Sequence, residues 1–398
     1  MRSATVDAVS TGVISVAVMA HPRRLAQARA LAAAFPQWPG TVAVDPFPEG
    51  PPTTLRAARA AWAAMPPDAT HHLVLQDDVR PCRDFTARLA SAVSAHPDSP
   101  LALYANWNSW NGAATRAAAL AGASWAVAVT GEWVPALALL LPRADVRALL
   151  AAVPEDSAEL TPDDVVLERE LAARGRRVLI SVPHLVEHVG DESLIGNDSY
   201  GPRHSACFAD DLAPGRGPGP GPEATATGPA PYRADPLVHV LRGRGHAVLA
   251  HPDGPRRLSS RGYLRETGLL ADAAAGWEHA RRAPGLPGES RWLTEELWYA
   301  AYLMGVHAAP SVPAGSQQAV RACLRSLVLG GSNSLGREYR WALEQVGPLT
   351  ELAASAVEAG RTRRRRHGPP AAIGRDRLAA LPPASEIWQG VPTELEES

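Results

Sequence analysis

The sequence predicts an α/β fold, a mixed, mostly parallel sheet flanked by helices, followed by a C-terminal, mostly helical domain. Three observations carry this. In the first half, short apolar and β-branched runs alternate with Ala- and Arg-rich stretches of helical period. A Pro/Gly-rich string then interrupts all periodicity. Beyond it, apolar residues recur at the spacing of buried helix faces.

Residues 13–19 form a β-branched strand, followed by His21-Pro22-Arg23-Arg24 and a helix through about Ala34. A second strand, 41–44, ends at Asp45, and the helical stretch 54–64 leads into His72-Leu73-Val74-Leu75-Gln76-Asp77-Asp78-Val79. Leu73 to Leu75 is short, unbroken and apolar, as a strand buried on both faces requires. A helix over 85–95 and a strand over 101–105 lead into the aromatic, amide-rich segment from Asn106 through Trp107, Asn108, Ser109, Trp110 and Asn111 to Gly112. Further strands are expected over 125–129, 136–141 and 177–182. Thr161-Pro162-Asp163-Asp164 opens a helix to about Arg174, with Thr161 as N-cap, Pro162 in the first turn and acids at the positive end of the dipole. Asp164 then falls at the capping-box position.

The expected organisation is a leader over 1–12, a first domain over 13–210, a linker over 211–234, a mostly helical accessory domain over 235–365 and a flexible tail over 366–398. The Gly-Pro alternation in the linker neither follows a strand nor opens a helix, which excludes a phosphate-binding loop there. In the accessory domain, Trp292, Leu293, Leu297, Trp298, Ala301 and Met304 share a helical stripe, as do Val320, Cys323, Leu324, Leu327 and Val328. Both stripes read as core.

With 398 residues the chain is long enough for two cores. Its net charge of -2 argues against a dedicated nucleic-acid binder. All 39 basic residues are arginine, which with the abundant Ala, Gly and Pro matches a GC-rich coding bias, as in actinobacteria. The 3 cysteines, Cys82, Cys207 and Cys323, lie far apart with no C-x-x-C pair, which fits a reducing compartment and disfavours structural zinc. No apolar run is long enough to span a bilayer, and the start lacks the pattern of a signal peptide; a cytoplasmic enzyme is expected.

In open α/β sheets ligands bind beyond the carboxyl ends of strands, where Asp77 and Asp78 fall. Two hard oxygen donors there suit a divalent metal, and a metal suits a diphosphate. Adjacent residues of an extended strand point to opposite faces, so the two acids are expected to take different roles; Asp78 is the candidate metal ligand and Asp77 the candidate sugar or ribose contact. Arg23 and Arg24, after the first strand, are candidates for base or pyrophosphate. The segment 106–111 offers aromatic faces and amides for an acceptor sugar. His71 reads as structural, and Ser193 lacks the surroundings of a hydrolase nucleophile.

Several of these segments together resemble a GT-A fold glycosyltransferase. Leu75-Gln76-Asp77-Asp78-Val79 is similar to the L-E-D-D-V form of lipopolysaccharide-type and procollagen galactosyltransferases. Thr161-Pro162-Asp163-Asp164-Val165 resembles their acceptor-side acid motif. Pro183-His184-Leu185-Val186-Glu187-His188-Val189-Gly190, followed by Ser193-Leu194-Ile195-Gly196-Asn197, resembles the histidine stretch near the end of such domains. The likeness covers about 13–197. It implies a nucleoside diphosphate sugar donor, hexosyl transfer, Asp163 as general base, Asp45 at the nucleoside, and Asp78 with His188 on a divalent cation. A mixed oxygen and nitrogen set suits Mn²⁺ at least as well as Mg²⁺. Gln76 departs from the pattern: where relatives carry an acid, it offers an amide for a ribose hydroxyl or metal-bound water.

The expected function is therefore transfer of a sugar to an acceptor that is a glycan, a small molecule or a peptide, with inversion mildly favoured by the candidate base. The alternatives are another metal–nucleotide enzyme of nucleotidyltransferase type, or a degenerate scaffold that binds a partner; Gln76 favours the latter.

Overall fold

The structure is a computed structural model that describes residues 13–155, 157–189, 201–212, 230–282, 290–308 and 316–387. The expected leader, the motif residues Gly190 to Asn197, most of the expected linker and the tail beyond residue 387 lie outside the described residues.

The first unit runs β1 (Ile14–Ala20), α1 (Leu25–Ala33), β2 (Gly40–Val44), α2 (Leu55–Ala63), β3 (His71–Gln76), β4 (Val79–Pro81), α3 (Phe85–Ala95) and β5 (Leu101–Ala102). It continues with α4 (Trp110–Ala121), β6 (Trp125–Val127), β7 (Ala138–Pro142), α5 (Arg143–Ala152), α6 (Asp163–Ala173), β8 (Leu179–Ser181) and β9 (Val186–His188). Seven strands form one mixed sheet in the order β2-β1-β3-β7-β5-β8-β6. The pairings set β2, β1, β3, β5 and β8 running one way and β7 and β6 the other.

Side chains alternate along each strand, so the two faces have separate cores. On one face Ala17, Met19, Val74, Leu139 and Leu141 pack under α2, α4, α5 and α6, through Leu55, Trp62, Trp110, Leu149 and Leu167. On the other, Val16, Val18, Leu73, Leu75 and Leu140 pack under α1 and α3, through Leu31, Phe35, Phe85 and Leu89. Because helices cover both faces, these strands read as unbroken apolar runs. His71 is structural, its ring nitrogens paired with Thr70 Oγ1 at 2.9 Å and the Pro97 carbonyl at 2.7 Å.

Two helices were not foreseen. α4 starts inside the amide-rich segment, where Ser109 Oγ accepts from the Gly112 N–H at 2.9 Å; an Asn-Gly pair at its start disguises a good cap. α5 follows β7 without a break, so the strand pattern runs directly into it. At α6 the expected cap is corrected: Pro162 holds the cap position, with no side-chain cap bond, so Asp164 completes no capping box with Thr161.

The second unit opens with a three-stranded antiparallel sheet, β10 (Leu237–Leu241), β11 (Arg244–Leu249) and β12 (Arg256–Ser259), which the sequence reading does not contain. Its first turn is Arg242-Gly243, with φ of 50° and 77°, so the left-handed turn lacks the usual Asn-Gly or Asp-Gly signal. Helices α7 (Ser260–Glu266), α8 (Leu270–Ala280), α9 (Arg291–His307), α10 (Gln317–Ser332), α11 (Arg337–Glu344), α12 (Val346–His367) and α13 (Arg375–Ala379) follow. The expected α9 stripe is buried except for Trp292, which is 38% exposed with the Arg244 guanidinium over its ring. The expected flexible tail is corrected as far as residue 387. Arg257 N–H donates to the Pro382 carbonyl at 3.1 Å, Ala384 N–H to that of Pro255 at 2.9 Å, and Leu381 and Ala384 are buried. Among the described residues no helix is long and apolar enough to cross a membrane.

The units meet where α10 lies against α4 and the loop before it. Buried Arg116 of α4 donates from Nε to Ser326 Oγ at 3.2 Å and from Nη2 to the carbonyls of Ser326 and Trp107. Gly330 of α10 sits over Trp107, where an added Cβ would stand 2.8 Å from the indole and 2.9 Å from the carbonyl oxygen. Gly330→Ala therefore forces the loop carrying Asn106 and Asn108 away from α10. Overpacking of this kind costs about 1–3 kcal/mol, and thermal or urea melts should show a loss despite alanine's better helix propensity.

Candidate functional site

Because β1, β2 and β3 are parallel, their carboxyl ends lie on one edge of the sheet. A cavity of about 210 Å³ opens there, lined by His21 after β1, Asp45 after β2, and Gln76, Asp77 and Asp78 at the end of β3. This is the place at which open α/β sheets bind ligands. Arg24, Arg56 and Arg203 line the same cavity.

The charges in it are paired closely. Arg24 Nη1 lies 2.9 Å from Asp78 Oδ2 and 3.3 Å from Asp77 Oδ1, so one guanidinium bridges both carboxylates. Asp77 Oδ2 also accepts the His21 N–H at 3.1 Å. Arg56 grips Asp45 as a fork, Nε to Oδ1 and Nη2 to Oδ2 at 3.1 Å each. His188 reaches the cavity edge because β4 and β9 form a ribbon in which Val79 faces His188 and the Val189 N–H donates to the Asp78 carbonyl at 2.9 Å. Its Nε2 stands 3.4 Å from Asp78 Oδ2 and 3.4 Å from Arg203 Nη2. Burial alone would raise the Asp78 carboxyl, but His188 and Arg24 outweigh it and hold it below its ordinary value. For Asp77 burial wins over the His21 N–H and Arg24, and its carboxyl is raised.

A second chamber of about 490 Å³ shares Pro52, Thr53, Thr54, Gln76 and Arg203 with the first. Asp163 and Asp164, in the first turn of α6, line it together with Asn106, Asn108, Trp133 and His188. Asp163 is buried, and its N–H is held by Thr54 Oγ1 at 3.2 Å. Burial raises its carboxyl. Asp164 is half-buried and its carboxylate accepts the Val165 N–H at 2.8 Å. Burial first, then the charge of Asp163, pushes it up to about 7.

Glu132 supports this chamber from behind. Its carboxylate accepts the Trp110 and Asn111 N–H groups at 2.7 Å and 2.6 Å, at the start of α4, and burial pushes it up to about 8. Asn111 ties the same loop down, Oδ1 accepting the Val129 N–H at 2.9 Å and Nδ2 donating to the Trp133 carbonyl at 3.0 Å.

The structure thus brings together Asp45, Arg24, Gln76, Asp77, Asp78 and His188, and places Asp163 in the adjoining chamber. Arg23 it does not: this side chain is exposed and lines neither chamber. The expectation that Asp77 and Asp78 point apart is corrected, because the chain turns after Gln76 instead of staying extended, and both carboxylates meet Arg24. Trp107 and Trp110 are core, while the aromatic residues lining the chamber are Tyr104 and Trp133. Arg56, Arg203, Trp133 and Glu132 were missed. In a chain whose basic residues are all arginine, nothing local distinguishes Arg56 or Arg203 from the rest.

The residues present do not fit a resident divalent cation. Asp78 and His188 offer two donors, but Arg24 holds the space between the carboxylates and Arg203 faces the His188 nitrogen. Among the described residues no group of three or more His, Cys, Asp or Glu is arranged to hold a metal. Asp78 Oδ1 is buried with no hydrogen-bond partner among the described residues. No family model and no curated protein matches this chain.

Glu132→Ala leaves two buried N–H groups without acceptors and should cost about 1–3 kcal/mol in denaturant melts. The raised carboxyl also sets a pH dependence. Its ionisation is less favourable folded than unfolded, so its contribution is complete below about 4.5 and is lost as pH rises through about 8. Melting temperatures measured across that window should fall more steeply for the wild type than for Glu132→Gln.

Proposed function

We propose that the chain is a glycosyltransferase that moves a hexosyl group from a nucleoside diphosphate sugar to an acceptor hydroxyl. One observation carries the reading: two chambers share a wall at the carboxyl edge of β1–β3, one holding Asp45, Asp77 and Asp78 and the other Asp163 and Asp164. That arrangement supports a donor in the first chamber and an acceptor in the second, with the anomeric carbon near Gln76, which both chambers share. Trp133 offers an aromatic face, and Asn106 and Asn108 offer amides, to an acceptor with ring C–H faces and hydroxyls. The acceptor is accordingly a glycan or another polyhydroxylated molecule.

Asp164 is the stronger candidate for the base than Asp163, which the sequence favours. It is the more accessible of the two, and its carboxyl lies near neutrality, where a base is most effective. It takes the proton of the acceptor hydroxyl as that oxygen attacks the anomeric carbon. The bond from that carbon to the diphosphate breaks, and its electron pair leaves with the diphosphate. Asp163 acts through Asp164: its negative charge raises the basicity of its neighbour.

Only ionised Asp164 accepts a proton, so kcat/KM should climb with pH through about 7. Release of nucleoside diphosphate from a panel of nucleotide sugars and simple glycan acceptors measures this. Asp164→Asn should lower kcat by about a hundredfold or more, the usual worth of a general base. Asp163→Asn should shift the midpoint to lower pH, since it removes the like charge. Unchanged turnover in Asp164→Asn would remove it from the mechanism.

A further inference from the structure

We infer that Arg24, with Arg56 and Arg203 beside it, supplies the positive charge that meets the donor's diphosphate, at the place a divalent cation would take. The inference rests on the glycosyltransferase reading and adds how that site neutralises its substrate.

The geometry of Arg24 is the reason. Its Nη1 stands 2.9 Å from Asp78 Oδ2 and 3.3 Å from Asp77 Oδ1. Two adjacent buried carboxylates repel unless a cation lies between them, and here the chain provides one of its own. A divalent ion on the same oxygens would sit at about 2.0–2.6 Å from them, inside the volume the guanidinium fills. His188, the next donor, faces Arg203 Nη2 at 3.4 Å, so an ion bound there would meet a second fixed positive charge.

The alternative chemistry is already assembled. Three guanidinium groups line the first chamber. Asp45 and the Pro51 and Phe47 carbonyls occupy the donors of Arg56, which contributes its charge and no fork of its own. Arginine forks match phosphate oxygens two at a time and stay charged at every working pH. In a partly buried cleft, cations fixed in advance stabilise the charge that grows on a departing diphosphate. The carboxylates orient Arg24, and the substrate's oxygens add to its partners. Asp78 and Asp77 are then positioning residues for Arg24.

The test uses the full chain with uridine, guanosine and adenosine diphosphates as probes, by calorimetric titration in EDTA and again in MnCl₂. At least one probe should bind in EDTA, with an affinity that Mn²⁺ changes less than about threefold. Arg24→Met should weaken that binding by about tenfold or more, and Arg24→Lys should fall between, because it keeps the charge and loses the fork. MnCl₂ alone should not raise the wild-type melting temperature but should raise that of Arg24→Met, in which the carboxylates are freed for an ion. If Arg24→Met does not fold by circular dichroism, the wild-type titrations and Arg24→Lys decide. Binding that requires Mn²⁺, or wild-type stabilisation by Mn²⁺ alone, overturns this inference and leaves the glycosyltransferase reading in place. Failure of every diphosphate in both conditions overturns both.

Discussion

A single guanidinium between two carboxylates organises the mouth of the sheet. Asp77 and Asp78 stand side by side at the end of β3, each nearly buried, and without a neighbouring cation one of them would take up a proton. Arg24 reaches them from the turn after β1, which is hydrogen-bonded in parallel to β3. The His21 N–H from the same turn holds Asp77, and His188 from the β4–β9 ribbon holds Asp78. Two separate stretches of chain thus converge on one pair of acids. At the end of β2, on the far side of β1, Asp45 and Arg56 form a one-to-one pair. The cleft carries fixed charges of both signs, mutually satisfied.

Much of this edge was legible in the sequence, for a definable reason. β1 and β3 are covered on both faces, so their apolar runs are unbroken and their ends are marked by the first charged or amide residues, Gln76-Asp77-Asp78. Where those carboxylates point was not legible, because it depends on a turn that follows β3 and on an arginine more than fifty residues upstream. The β10–β11 hairpin was hidden by its Arg242-Gly243 turn, and α5 by the absence of any break after β7. Helix α6 was read correctly as an element and incorrectly at its cap, since Thr161, Pro162 and two acids satisfy a capping pattern that the backbone does not use. His188 was found through a motif whose last residues lie outside the described part of the chain.

Among the described residues the second unit contributes no side chain to either chamber of the candidate site, yet it fixes one wall of it. Trp107 is clamped between Gly330 of α10 and the Pro202 carbonyl, to which its indole N–H donates at 2.7 Å. Arg116 adds its contacts to the Trp107 and Ser326 carbonyls from inside the interface, where burial lowers its pKa to about 10. Asn106 and Asn108 flank this clamped residue. Their position in the second chamber therefore depends on how α10 lies against α4, and Pro202 brings in the segment that carries Arg203.

That dependence separates two kinds of acid in the molecule. Glu132 and Asp163 are buried acids at helix starts, where backbone N–H groups and the dipole give them structural work regardless of any substrate. Asp164 has the same helix start but remains half-buried, with the Val165 N–H donating to its carboxylate and a like charge beside it. A group needed only for the fold would be expected in the former state, buried and satisfied. One left open to a chamber, with its basicity raised by burial and by a neighbour, is in the state that proton transfer requires.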